Sequence, residues 1–250
     1  KLIKMLEDSD PLIVPHALKL FYRLYPSLLE TKYPRVLDKI CDYCQSNDKQ
    51  LLDYAVDFIA SLGRGGYHAR KVLDNHADFK QKCLTRLGSS IISSDSILES
   101  RTLKCITDLL EVHEDDPKEE SIKLSEIFYH KIIEGEGKMT KQLLTLCKYP
   151  FVEIRVNALY AVAAIAGLEW GQQELSNNKD FVDWLLDRST ERSKESKEAK
   201  FEILEAIVKS KTGSKIFGGE NYLKMRTDFK NGPFHVGIAE EMLMDNQSAT

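Results

Sequence analysis

Cys41-Asp42-Tyr43-Cys44 places two sulfurs three residues apart. That spacing serves two chemistries, half of a tetrahedral zinc site or a redox dithiol, because in each the thiolates must share one partner. Zinc needs a second Cys or His pair, and the redox motif needs a strand-to-helix context. Neither lies near it along the chain. Leu37 and Ile40 fall on the same helical stripe as both sulfurs, so the pair reads as core packing.

Gly135-Glu136-Gly137-Lys138-Met139-Thr140 has the look of a phosphate loop, whose backbone N–H groups and Lys cradle phosphates. Ile132 stands where the first Gly belongs, Met139 replaces the required Ser or Thr, and no strand pattern precedes it, so it reads as an interhelical turn. His16, His68, His76, His113, His130 and His235 include no pair spaced i, i+4 around a Glu, and they read as surface or capping residues. Glu114-Asp115-Asp116 with Glu119-Glu120 lacks the Gly and alternating oxygens of a calcium loop and reads as a solvated linker. Ser189 to Lys200 alternates charges, either as a docking surface or, the reading taken, as a solvated helix start with i, i+4 pairs. No catalytic, cofactor or metal constellation emerges, and the chain is read as a non-enzyme.

The elements behind these residues are helices. Hydrophobic residues make up 42% of the 250 and charged residues 30%, with only 13 Gly and 7 Pro, a balance that supports a continuous core and leaves few turns for an all-β fold. The net charge of −4 argues against phosphate backbones and anionic membranes as partners. Five cysteines, an odd number set in apolar stretches, fit reduced thiols of the cytosol or nucleus. No apolar run is long enough for a membrane span, and no signal-peptide pattern opens the chain. Lys1 rather than Met comes first, and Leu2 to Leu6 reads as the tail of a helix, so the chain is expected to be the C-terminal part of something longer.

Apolar residues recur at i, i+3, i+4, i+7 in Leu37, Ile40, Cys41 and Cys44, in Leu52, Ala55, Val56 and Ile59, in Phe79 to Ile91, in Ala158 to Ala166 and in Phe201 to Val208. Asp10-Pro11 and Asp116-Pro117 read as helix starts, the second with Glu119 approximating a capping box. Gly63, Gly65, Gly66, Gly135 to Gly137, Gly213 and Gly218-Gly219 read as helix ends. The pattern predicts antiparallel pairs over about 12–37, 34–62, 79–110, 139–168 and 180–209, with an additional helix over Glu120 to Glu134. That is an all-α, HEAT- or armadillo-like α-solenoid of about five pairs in a right-handed superhelix, one domain over 1–236 followed by a tail, variable or added, over 237–250. Gly65 to Leu73 and Gly167 to Leu175 each suggest the armadillo habit of a Gly-containing turn and a short helix after a repeat. Arg101 and Arg155 read as ladder residues tying adjacent repeats.

The last third is more specific. Phe181-Val182-Asp183-Trp184-Leu185-Leu186-Asp187-Arg188-Ser189 is followed by Ser196 to Glu202, Ser210-Lys211-Thr212, Ile216-Phe217-Gly218, Asn221-Tyr222-Leu223, Arg226-Thr227 and Gly232-Pro233. In order and spacing this succession resembles the C-terminus of the 26S proteasome non-ATPase regulatory subunit 5 family. The resemblance is strong from Pro150 to Val236 and continues more weakly back to Asp10, leaving out the family's N-terminal half.

The resemblance implies an assembly chaperone of the base of the proteasome regulatory particle, acting among base precursor subunits. Its partner would be the C-terminal domain of a base ATPase subunit of the regulatory subunit 7 type, kept by steric exclusion from docking early on the core particle. On this reading the binding face comprises exposed polar positions of the second helices, and Asp53, Asp57, Lys104, Asp108, Asn157 and Lys200 are nominated. Two rivals stand beside it: a generic HEAT or armadillo adaptor of the transport or phosphatase kind, and a HEAT-scaffold enzyme acting on DNA, which would need a basic concave face.

Overall fold

A computed structural model describes residues 2–6, 13–23, 32–133 and 139–235, and among these the chain forms helices and no strand. The helices are α1 (Leu2–Met5), α2 (Ile13–Tyr22), α3 (Pro34–Cys44), α4 (Lys49–Gly63) and α5 (Gly66–Asn75). A π-helical segment, Phe79–Leu84, leads into α6 (Thr85–Ser90), and α7 (Ser96–Leu110), α8 (Lys118–Ile133) and α9 (Met139–Leu146) follow. The chain continues with α10 (Val152–Ala166), α11 (Glu169–Ser176), α12 (Phe181–Leu186), a 3-10 turn at Arg188–Thr190, α13 (Lys194–Lys209), α14 (Gly213–Phe217) and α15 (Gly219–Asn231).

Local chemistry explains the starts. Pro34 occupies the first turn of α3, where its missing N–H costs nothing. Asp48 accepts from Gln50 N–H, Asp95 from Ile97 and Leu98 N–H, and Ser193 from Ser196 N–H, so α4, α7 and α13 each open on a side-chain cap. The expected stripes point inward: Leu52, Ala55, Val56 and Ile59 are buried, as are Leu37, Ile40, Cys41 and Cys44.

The long helices α4, α7, α10 and α13 pack successively on one another and make a continuous inner row, with α2 against α4 at its start. Helix α10, lying between α7 and α13, buries Ala158, Leu159, Ala161, Val162, Ile165 and Ala166, which accounts for its apolar character around much of its circumference. Helices α5, α8, α11 and α14 lie between repeats, so the unit is the armadillo triplet more than the simple pair. The short helices expected after Gly65 and Gly167 are α5 and α11. The additional helix expected over Glu120 to Glu134 is α8, and its sixteen residues widen the spacing between α7 and α10.

Three local expectations are corrected. Gly213 and Gly219 open α14 and α15 instead of ending helices, and Gly218 between them takes φ +80°. Gly63 closes α4, but Gly66, at φ +75°, opens α5. Helix α8 starts at Lys118, so Asp116 is not its N-cap. The Asp116 carboxylate accepts instead from Tyr67 N–H at 2.8 Å, His113 N–H at 3.3 Å and the Ser121 hydroxyl at 3.0 Å. Asp10-Pro11, Gly135 to Gly137 and the tail over 237–250 lie outside the described residues.

Two buried polar side chains lock successive short helices. Arg70 of α5, fully buried, donates to Leu109 O at 3.2 Å, to Glu111 O, to Asp116 Oδ2 at 2.5 Å and to Ser121 Oγ at 2.7 Å. Gln172 of α11, equally buried, donates to Ala166 O at 2.8 Å and accepts from Thr212 Oγ1 at 2.8 Å. Beside it Gly171 lies so close to Ile165 O that a Cβ would collide with that backbone.

Candidate protein-binding face

The solvent side of the inner row carries polar residues in register: Asp53 and Asp57 on α4, Arg101 and Lys104 on α7, Asn157 and Tyr160 on α10, and Glu198 and Glu202 on α13. Positions spaced three or four apart keep this line opposite the buried stripes. At the α4 end a groove of about 320 Å³ opens, lined among others by Leu18, Tyr54, Asp57, Arg64, Arg101 and Lys104.

The six nominated residues divide. Asp57 is exposed, with 60% of its side chain open, and pairs with Arg101 Nη1 at 3.3 Å; Lys104 is exposed beside it. Asp53 is half-buried, 3.9 Å from the same guanidinium nitrogen, and its Oδ1 is buried without a hydrogen-bond partner. Burial pushes the Asp53 carboxyl pKa upward against the pull of Arg101 and Lys49. Asn157 is half-buried and donates to Ser100 Oγ at 2.8 Å, while Ser100 donates to Glu153 Oε1 at 2.7 Å. Its amide therefore ties α10 to α7.

Asp108 and Lys200 are not exposed, contrary to expectation. Asp108 is buried in the α4–α7 seam and pairs with Arg64 Nη1 at 2.5 Å; burial raises its pKa while Arg64 draws it down. The seam is so close that a Cβ on Gly63 would stand 2.8 Å from Asp108 O. Lys200 turns inward, donating to Asp187 O and Thr190 Oγ1 at 2.7 Å each, with its ammonium 4.8 Å from the Trp184 ring centre. Burial lowers its pKa to about 8, with Glu191 and Asp187 opposing. A long side chain on a charge-rich helix gave no sign of which side it would take.

Arg101 and Arg155 do tie neighbours together. Arg101 reaches α4, and Arg155 Nε lies 3.1 Å from Glu191 Oε2 in the next repeat. The line of residues overlooked in the sequence is acidic: Glu202 is raised by burial and then by Glu205, Glu111 and Glu198, and Tyr160 by burial and then by Glu202 and Glu198. Glu198 and Glu202, one turn apart and off the Ala199, Ile203, Ile207 stripe, were a signal available from spacing alone. The face is thus mixed in charge at α4–α7, where Lys19, Arg64, Arg101 and Lys104 line the groove beside Asp57, and acidic at α10–α13.

Among the described residues no group of three or more His, Cys, Asp or Glu is placed to hold a metal ion, and no helix is long and apolar enough to cross a membrane. The repeat stack and its polar inner row define an armadillo-like α-solenoid, a class of protein that presents an extended binding surface. Residues 2–247 match the family described as proteasome non-ATPase 26S subunit, and the chain belongs to that family. It is 29% identical over 236 residues to the 26S proteasome non-ATPase regulatory subunit 5 of Homo sapiens, covering 92% of this chain and 46% of that protein. Against its Drosophila melanogaster namesake it is 24% identical over 231 residues, covering 91% and 44%. The chain therefore spans about half the length of the curated relatives it matches.

Solved structures of similar shape are designed armadillo repeat proteins. One, in complex with the peptide (KR)4, superposes with a TM-score of 0.63 at 13% identity over 91% of this chain and 98% of that one. Another gives 0.63 at 14% identity over 92% and 97%. At such identities the likeness is one of fold.

Proposed function

We propose that this chain is a non-catalytic assembly factor of the 26S proteasome regulatory particle, acting in the cytosol or nucleus. Its inner row binds the C-terminal domain of a base ATPase subunit, of the regulatory subunit 7 type, within a base precursor. While bound, it keeps that subunit from docking on the core particle by steric exclusion. The observation that carries the reading is the family match over nearly the whole chain, joined to a continuous row of polar residues along the inner helices. The α4–α7 groove supplies apolar contact through the half-buried Tyr54 and charge through Asp57 and Lys104, a combination that gives affinity at the centre and orientation at the rim.

Titrating the chain with the isolated C-terminal domain of each base ATPase subunit tests this. One domain is expected to bind clearly better than the rest, and Asp57→Lys or Lys104→Glu is expected to slow association and change its salt dependence. Equal binding across the set, or none, rules the reading out.

A further inference from the structure

Away from the inner row, residues distant in sequence meet beside α3. Cys83, in the π-helical segment, donates its thiol hydrogen to Cys41 Sγ across 3.6 Å. His76 Nδ1 stands 3.7 Å from the same sulfur, and His76 Nε2 lies 3.0 Å from Asp38 Oδ1. The partner that the Cys41-Cys44 pair lacks along the chain is supplied by packing, because α3 lies against the π-helical segment.

The arrangement is asymmetric. With His76 Nε2–H directed at Asp38, Nδ1 presents its lone pair to the Cys41 thiol, the geometry of a base beside a nucleophile. The Cys83 hydrogen bond lowers the Cys41 pKa; burial, Asp78 and Asp38 oppose it and Lys82 assists. The contacts of Cys83 with Cys41 and Cys44, and its burial, push its thiol pKa upward. Cys105 and Cys147, as buried as Cys83, have pKa values that burial drives upward. Cys41 is 2% exposed, and the His76 side chain beside its sulfur is 13% exposed and leads to Asp38, whose side chain is 62% exposed.

We propose that Cys41 and Cys83 form a peroxide-responsive thiol pair, in which Cys41 is oxidised first and Cys83 resolves it into an intramolecular disulfide. The Cys41 proton passes to His76 Nδ1, and the thiolate attacks one oxygen of hydrogen peroxide. An S–O bond forms, the O–O bond breaks, and the departing hydroxide takes the proton back from His76 as water. The Cys83 sulfur then attacks the Cys41 sulfenic sulfur; the S–S bond forms, the S–O bond breaks, and hydroxide leaves with the Cys83 proton as a second water. Two thiols are oxidised by two electrons and one peroxide is reduced to two waters. Closure from 3.6 Å to the roughly 2.05 Å of a disulfide asks for a small shift, which the wider turn of a π-helix is placed to absorb.

The test is to expose the chain to hydrogen peroxide, block remaining thiols with N-ethylmaleimide and map the peptides by mass spectrometry. A Cys41–Cys83 crosslink is expected, reversible by dithiothreitol and forming about tenfold or more faster than any modification of Cys105 or Cys147. Cys83→Ser should leave Cys41 as a sulfenic acid that dimedone captures, and His76→Ala should slow the bridge and move its pH profile upward. Overturning results are no bridge at peroxide levels that leave the helical circular dichroism intact, a Cys41–Cys44 bridge instead, or Cys105 or Cys147 reacting as fast as Cys41. Should Cys83→Ser not fold, the map of the unsubstituted chain decides alone.

Discussion

Helices α5 and α11 occupy equivalent places, each opening a repeat after a long inner helix, yet they are held by opposite chemistry. Arg70 anchors α5 through an ion pair with Asp116 and carbonyls at the end of α7; Gln172 anchors α11 through one carbonyl at the end of α10 and the Thr212 hydroxyl before α14. Both side chains are fully buried, and each ties its short helix to the start of the next helix between repeats, α8 for Arg70 and α14 for Gln172. The helix end leaves carbonyls that must be satisfied, and either a charged or a neutral donor can do it. The two differ in what their loss would cost.

A buried guanidinium stands in only because its partners compensate its desolvation. Burial lowers the Arg70 pKa and Asp116 restores it in part. Arg70→Met should therefore have the largest effect, lowering unfolding stability by about 3–5 kcal/mol because it strands a buried carboxylate. Adding Asp116→Asn should recover part of that loss in urea titrations; strict additivity of the two changes would break the claim that they act as a pair. Gln172→Leu should cost less, about 1–3 kcal/mol, since it leaves only neutral partners unpaired; a cost equal to that of Arg70→Met would erase the contrast.

The smallest effect separates the links by pH. Burial pushes the Asp116 carboxyl up, but Tyr67 N–H, Ser121, Arg70 and His113 N–H outweigh it and the net pKa is depressed. A depressed carboxylate stabilises the fold above its unfolded pKa of about 3.9, and that contribution is lost as pH falls through its lower folded value. Acidification below about pH 4 should thus cost the unsubstituted chain more stability than it costs Asp116→Asn. Gln172→Leu should leave the acid limb unchanged in shape.

The chain's helices and their order were legible because apolar periodicity is local: Leu52 to Ile59 had to face a core whatever covered it, whereas the caps Asp48, Asp95 and Ser193 emerged only from the structure. The short α5 and α11 were visible in their glycine-led turns for the same reason. The triplet grouping was less so, since α14 and α15 begin at glycines that also suit helix ends.

Sequence by itself determined an all-helical repeat and, through the succession from Phe181 to Pro233, its kinship. Tertiary structure alone decided which polar side chains remain available. Lys200 and Asp108 look like surface residues by type, but Trp184 and Thr190 within its own repeat draw one inward, and Arg64 of the neighbouring repeat pairs with the other. Asp57 and Lys104 stay outside. The same holds for Cys41, whose partners Cys83 and His76 lie some forty and thirty-five positions away. Helical periodicity gives the direction of a side chain from its own axis, and only the packing of repeats supplies what waits there.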